Sequence, residues 1–135
     1  MKILVIDSVA NELFIALIRN DAVTIKIFAS PRQHDRNINC LVREVLSTGK
    51  TVFLELDAIA VVTGPGSWTG SRVGVSAAKA YSMALGKPAI NITAQETRDK
   101  LIDSVRDAFN NKKFVAAREL APQYNSEFKV TLSKK

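Results

Sequence analysis

The sequence is poor in the residues that most metal sites and nucleophilic catalysts require: its 135 residues include one cysteine and one histidine. A single thiol closes no internal disulfide, and Cys40, beside Leu41 and Val42 in a helix-like stretch, is read as a buried, inert small hydrophobe. His34, in "PRQHDRN", has no second histidine and no cysteine at a ligand spacing, which excludes a zinc site or a His-x-x-x-His pair within the chain. It is read as a surface or capping residue. No apolar run approaches membrane length, and the stretch Ile3 to Ile6 is cut off by Asp7 too soon for a signal peptide. The expectation is therefore a cytoplasmic protein without membrane contact. Internal repeats, low-complexity tracts and glycine-serine linkers are also missing, so the length implies one domain. Basic residues outnumber acidic ones, 19 to 13, for a formal charge of +6. They are scattered, with short clusters only at Lys112, Lys113 and at Lys134, Lys135. The excess fits solubility as well as nucleic-acid contact.

What is present is a clear alternation of elements. "KILVID", "LFIALI" and "VTIKIF" are short β-branched runs divided by turn-forming "SVANE" and "RNDA", the pattern of three antiparallel strands in a meander. After Pro31 the period changes. Ile38, Leu41, Val42, Val45 and Leu46 make a helical stripe that stops at Gly49. "AIAVVT" is apolar without alternation, as in a strand covered on both faces. "TGSRVGVSAAKAYSMALGK" reads as a second helix, "PAINIT" as a short parallel strand, and Thr93 with Glu96 as a capping box opening a third helix through Leu101, Val105 and Phe109. The order βββαβαβα predicts an α/β fold, a mixed five-stranded sheet of the actin-like or ribonuclease H-like kind with helices packed on it. Residues 1–110 form its N-terminal lobe. Residues 111–135 are a tail, with a weak strand signal at Phe114 to Ala117, read as a strap over the domain or a partly disordered end.

Four of the six glycines fall between Gly64 and Gly74, in "VVTGPGSWTGSRVG". A Walker loop needs lysine after its last glycine, whereas Gly70 is followed by Ser71 and Arg72. The dinucleotide fingerprint and the Gly-x-Ser-x-Gly elbow fail on spacing as well. What remains is a strand, a glycine-proline turn and a helix start, in which Gly64, Gly66, Ser67, Thr69, Gly70 and Arg72 form either an anion-binding nest or a structural turn. The turn is the preferred reading. Arg72 sits at the unfavourable end of the helix dipole and calls for a carboxylate or phosphate nearby, or an internal salt bridge. Along the helix Gly70, Gly74 and Ala78 recur every four residues with Ala77 and Tyr81 beside them. Glycine inside a helix costs about 1 kcal/mol relative to alanine, so this face suggests close approach, either of the domain's own sheet or of a second protein.

Catalytic constellations are incomplete. A ribonuclease H-type nuclease needs clustered carboxylates for two metal ions. Asp7 and Glu44 are a start, but the fourth strand ends "VVTG" without an acid, and Asp57 lies at its other end. An actin-like kinase needs Asp-x-Gly in the first hairpin, where Asp7, Ser8 and Val9 stand.

"ILVIDS", "PRQHDRNI" and "AIAVVTGPGSWTGSRVGVSAAKAYSMALGKPAINIT", in this order and separation, closely resemble the TsaB (YeaZ) family of the tRNA threonylcarbamoyladenosine (t6A) pathway over about residues 1 to 100. Trp68 replaces the family's usual phenylalanine, and most of the family's second lobe has no counterpart. The resemblance implies an actin-like fold without catalytic residues, metal or cofactor. It implies a scaffold dimerising with a TsaD-like catalytic subunit, working with a TsaE-like ATPase, and pairing as a homodimer in isolation. Contact with tRNA would come through the complex. In that family the first two helices meet the partner, which makes Ile38, Leu41, Val45, Gly70, Gly74, Ala77, Ala78 and Tyr81 the interface candidates. The rival readings are a degenerate actin-like nucleotide-binding protein, a protease homologue, or a ribonuclease H-fold nucleic-acid-binding module.

Overall fold

A computed structural model describes residues 1–9, 12–29, 34–66 and 68–123, without the side chains of 34–37 and 68–71. The expected element order is the one observed. β1 (Lys2–Asp7), β2 (Leu13–Arg19) and β3 (Ala22–Phe28) are followed by α1 (His34–Thr48), β4 (Ala58–Gly64), α2 (Trp68–Leu85), β5 (Ala89–Thr93) and α3 (Arg98–Asn110). The sheet runs β3-β2-β1-β4-β5. The meander is antiparallel, Leu4 facing Leu17 and Leu17 facing Thr24. β4 joins β1 in parallel, and β5 joins β4 in parallel.

Strand alternation explains how the sheet is covered. Leu4, Ile6, Ile15, Leu17, Ile59 and Val61 project to one face, where the α1 stripe Ile38, Leu41, Val42, Val45 and Leu46 buries them together with Val75 and Ala78 of α2. The intervening residues Ile3, Val5, Phe14, Ala16, Ile18, Ala60 and Val62 project to the other, where α3 supplies Leu101, Ile102, Val105 and Ala108. Every residue of β4 is buried, which is why its sequence shows no alternation.

Two expectations change. The third helix is capped by Thr97, whose side chain accepts from the Lys100 amide at 3.1 Å; Thr93 ends β5 and Glu96 precedes the helix. Thr93 pairs with Gly64 in the β4 ladder, and the helix begins five residues later at Arg98, too far along the chain for the Thr93 side chain to cap its first turn. Cys40 is exposed, because the stripe that turns Ile38 and Leu41 to the sheet leaves position 40 on the solvent side. The tail packs as a strap as far as it is described: Val115 makes an antiparallel bridge to Ala89, and a 3-10 turn follows at Ala117–Glu119. Leu120 is buried in the α1/α2-side core, and the Gln123 amide donates to the Thr63 carbonyl at 2.6 Å. Among the described residues no helix is long and apolar enough to cross a membrane.

Candidate functional site

The glycine loop is shaped by its own chain. Gly64 has φ +125°, a conformation that a side chain would strain, and a Cβ there would lie 2.2 Å from the Gln123 carbonyl oxygen. A Cβ on Gly66 would lie 2.0 Å from Cγ1 of Val9. Both glycines are thus required by neighbours within the domain, the strap on one side and the β1–β2 connection on the other. The Gly64–Pro65 peptide is cis. Ser67 lies outside the described residues; Thr69 and Gly70 fall in the first turn of α2, whose side-chain surroundings up to Ser71 are likewise outside them.

The same accounting divides the small face of α2. Gly74 is buried, and a Cβ on it would meet Ser8 Oγ at 2.4 Å and Ser8 Cβ at 3.4 Å. Its close approach is therefore to the end of β1 in its own sheet. Ala78 and Val45 are fully buried in the same core, and Ile38 and Leu41 nearly so. These five candidates serve the fold, because side chains that pack the sheet have little surface left for another molecule. Ala77 and Tyr81 differ. They are only partly buried and line an open groove of about 450 Å³ between α1 and α2.

Ile38 and Asn39 form the α1 side of this groove, and Arg72, Val73, Ser76 and Ala80 complete the α2 side. Arg72 is exposed on the rim. The Tyr81 hydroxyl donates to Oδ1 of Asn39, tying the two helices together, and its ring stacks on Phe53 with centroids 5.4 Å apart. Burial raises the hydroxyl's pKa above the usual tyrosine range, partly offset by the nearby positive charge of Arg43. Met83 of α2 and Leu54, in the 3-10 turn Phe53–Glu55 after α1, are also exposed, at 70% and 77%. The sequence reading missed Asn39, Val73, Ser76 and Ala80. Positions 73, 76, 77 and 80 do follow i, i+3, i+4, i+7 on a face beside the one that meets the sheet, but this spacing alone does not tell a groove wall from a core face.

The carboxylates divide differently. Asp7 accepts from the Val9 amide at 3.0 Å and lines a hollow of about 350 Å³ with Glu12, Glu96 and Arg98. Arg98 pairs with Glu12 at 3.1 Å and lies 4.9 Å above the Phe14 ring. Glu44 is exposed on α1 and does not line this hollow. Among the described residues no group of three His, Cys, Asp or Glu is placed to hold a metal ion.

The family model described as TsaD, tRNA N6-adenosine threonylcarbamoyltransferase, matches residues 28–97, from the end of β3 to the cap of α3. The chain is 31% identical to the Escherichia coli K12 tRNA threonylcarbamoyladenosine biosynthesis protein TsaB over 97 residues, 72% of this chain and 42% of the relative. It is 43% identical over 65 residues to a tRNA N6-adenosine threonylcarbamoyltransferase of Bartonella bacilliformis, covering 48% of this chain and 18% of that one. A crystal structure from Pseudomonas aeruginosa, described as similar to peptidase YeaZ, superposes with TM-score 0.66 at 25% identity over 68% of this chain and 43% of its own. The chain thus spans less than half the length of the TsaB relative it matches.

Proposed function

The chain belongs to the TsaD-type family, with TsaB (YeaZ) proteins among its relatives, and from that premise we propose that it serves tRNA t6A biosynthesis as a non-catalytic scaffold subunit, dimerising with a TsaD-like catalytic subunit through α1 and α2. The observation that carries this reading is the open groove between these helices. Its walls are small and half-apolar, with Ala77, Ala80 and Tyr81 reachable from outside while the rest of the helical face is spent on the sheet. Small side chains on an exposed helix face let a second helix approach closely, and a tyrosine with its hydroxyl already bonded adds apolar area at low entropic cost. The similarity of the same segment to threonylcarbamoyltransferases supports a pseudo-symmetric pair, two related lobes meeting through equivalent helices. In isolation the same groove pairs two copies of this chain. Contact with tRNA and with a TsaE-like ATPase comes through the assembled complex.

The test is light scattering after size-exclusion chromatography, on the chain mixed with the TsaD-like protein of its own organism. Wild type is expected to form a stable one-to-one complex. Ala80→Arg, a change at an exposed groove position, is expected to abolish it while leaving the thermal midpoint within about 2 °C. Absence of a complex with wild type, or an unimpaired complex with Ala80→Arg, overturns the proposal, as does threonylcarbamoyl transfer by the purified chain without a partner.

A further inference from the structure

The strand β3 ends the sheet on one side, and the described residues leave an apolar stripe on it uncovered. Val23, Ile25 and Ile27 are 36%, 43% and 43% exposed. They continue the face formed by Ile18, Ala16 and Phe14, their cross-strand partners, which are buried. The backbone points the same way. Arg19 and Ala22 close a two-residue loop and so exchange both ladder hydrogen bonds. Alternation along the unbulged register then turns the N–H and C=O groups of Val23, Ile25 and Ile27 to the free edge. Such an edge is a template for another strand.

We propose that this edge pairs with β3 of a second copy of the chain, antiparallel about a two-fold axis at Ile25, so that the two sheets become one continuous sheet. The strand is self-complementary in this register and in neither of the adjacent ones. Val23 faces Ile27 of the second copy and Ile25 faces Ile25 of the second copy, so the three residues with outward backbone groups exchange ladder bonds with the same three, and their β-branched side chains meet across the seam. On the opposite face Lys26 lies across from Thr24 of the second copy, and no like charges meet. Moving the axis to Thr24 sets Ile27 against Asp21 of the β2–β3 turn, and moving it to Lys26 sets the two lysines directly against each other. Sterics agree. α1 lies over β2 and β3, so its two copies stand about two strand spacings apart, about 10 Å, the separation at which helices pack without overlap. The groove lies on the far side of α1, against α2, and stays open. A contact of one strand on one strand is small beside the roughly 1,200 Å² or more of stable interfaces, so this dimer forms at high chain concentration. Its consequence is that two groove-bound partners are brought into one assembly.

The test is made in the Ala80→Arg background, designed to remove pairing through the groove, so that the two readings fail separately. Amide hydrogen exchange by NMR and sedimentation velocity are compared at about 0.05 mM and about 1 mM chain. The amides of Val23, Ile25 and Ile27 are expected to exchange at least about threefold more slowly at the higher concentration, with the mass rising from monomer toward dimer. The amides of Leu4 and Val5 in β1 report that each protein is folded. Ile25→Lys and Ile25→Glu, at the exposed residue on the axis, are each expected to stay monomeric. An equimolar mixture of the two is expected to recover the dimer, because the axis sets position 25 of one copy against position 25 of the other. A monomer at both concentrations without these substitutions overturns the proposal. So does a dimer unimpaired by Ile25→Lys, or a mixture that stays monomeric.

Discussion

Gly74→Ala is the substitution in which two well-defined effects oppose each other. Replacing glycine by alanine inside a helix favours folding by about 1 kcal/mol. At this position the new methyl would stand 2.4 Å from Ser8 Oγ, where real Cβ contacts essentially never fall, and Ser8 is fully buried. Relief requires the hydroxyl to leave its present position or α2 to move off β1. Overpacking of this kind costs about 1–3 kcal/mol. The net expectation is a loss of about 1 kcal/mol, near 3 °C in thermal midpoint for a chain of this size. The control is the same change in a Ser8→Ala background. The nearest atom is then the residue 8 Cβ, 3.4 Å away, an ordinary contact. There Gly74→Ala should stabilise by up to about 1 kcal/mol, so that the double-mutant cycle returns a coupling of about 2 kcal/mol. Urea unfolding with far-ultraviolet circular dichroism measures all four proteins. If Gly74→Ala stabilises wild type, or if the cycle shows no coupling, the contact between α2 and the end of β1 is not as close as described, and the assignment of Gly74 to the domain's own packing fails.

Thr97→Ala should lower stability by about 1 kcal/mol through loss of the α3 cap, and Thr93→Ala by clearly less, read by the same denaturation; the reverse order would restore Thr93 as the helix start. Tyr81→Phe removes the hydroxyl bonded to Asn39 and should cost about 1 kcal/mol near neutral pH. Because the folded state raises the Tyr81 pKa above its ordinary value of 10.0, the stability linked to its neutral form is complete below that pH and is lost as pH rises through the higher folded value. Wild type should therefore lose more stability than Tyr81→Phe above pH 10, measured as thermal midpoints at pH 9 and pH 11. Parallel losses in the two proteins would contradict that sign.

The sequence by itself determined the elements, their order and the inward stripes, because period and burial are local properties. The unbroken apolar runs of β2 and β4 and the 3.6-residue stripe from Ile38 to Leu46 each report how many faces an element covers. Only the tertiary structure decided what the small residues are for. Gly74 looks the same in sequence whether it meets a partner helix or Ser8, since the contact lies between residues far apart in the chain. Thr93 with Glu96 reads as the start of α3 in sequence, and only the structure places Thr93 in the β4 ladder and Thr97 at the cap. For Gly64 and Gly66 the sequence favoured a structural turn over an anion nest but could not name the neighbours, Gln123 and Val9, that lie against them. Nor could the pattern separate the α2 residues spent on the sheet from Ala77, Ala80 and Tyr81 at the groove, because side-chain size encodes how closely a neighbour can approach and carries no information on which neighbour it is.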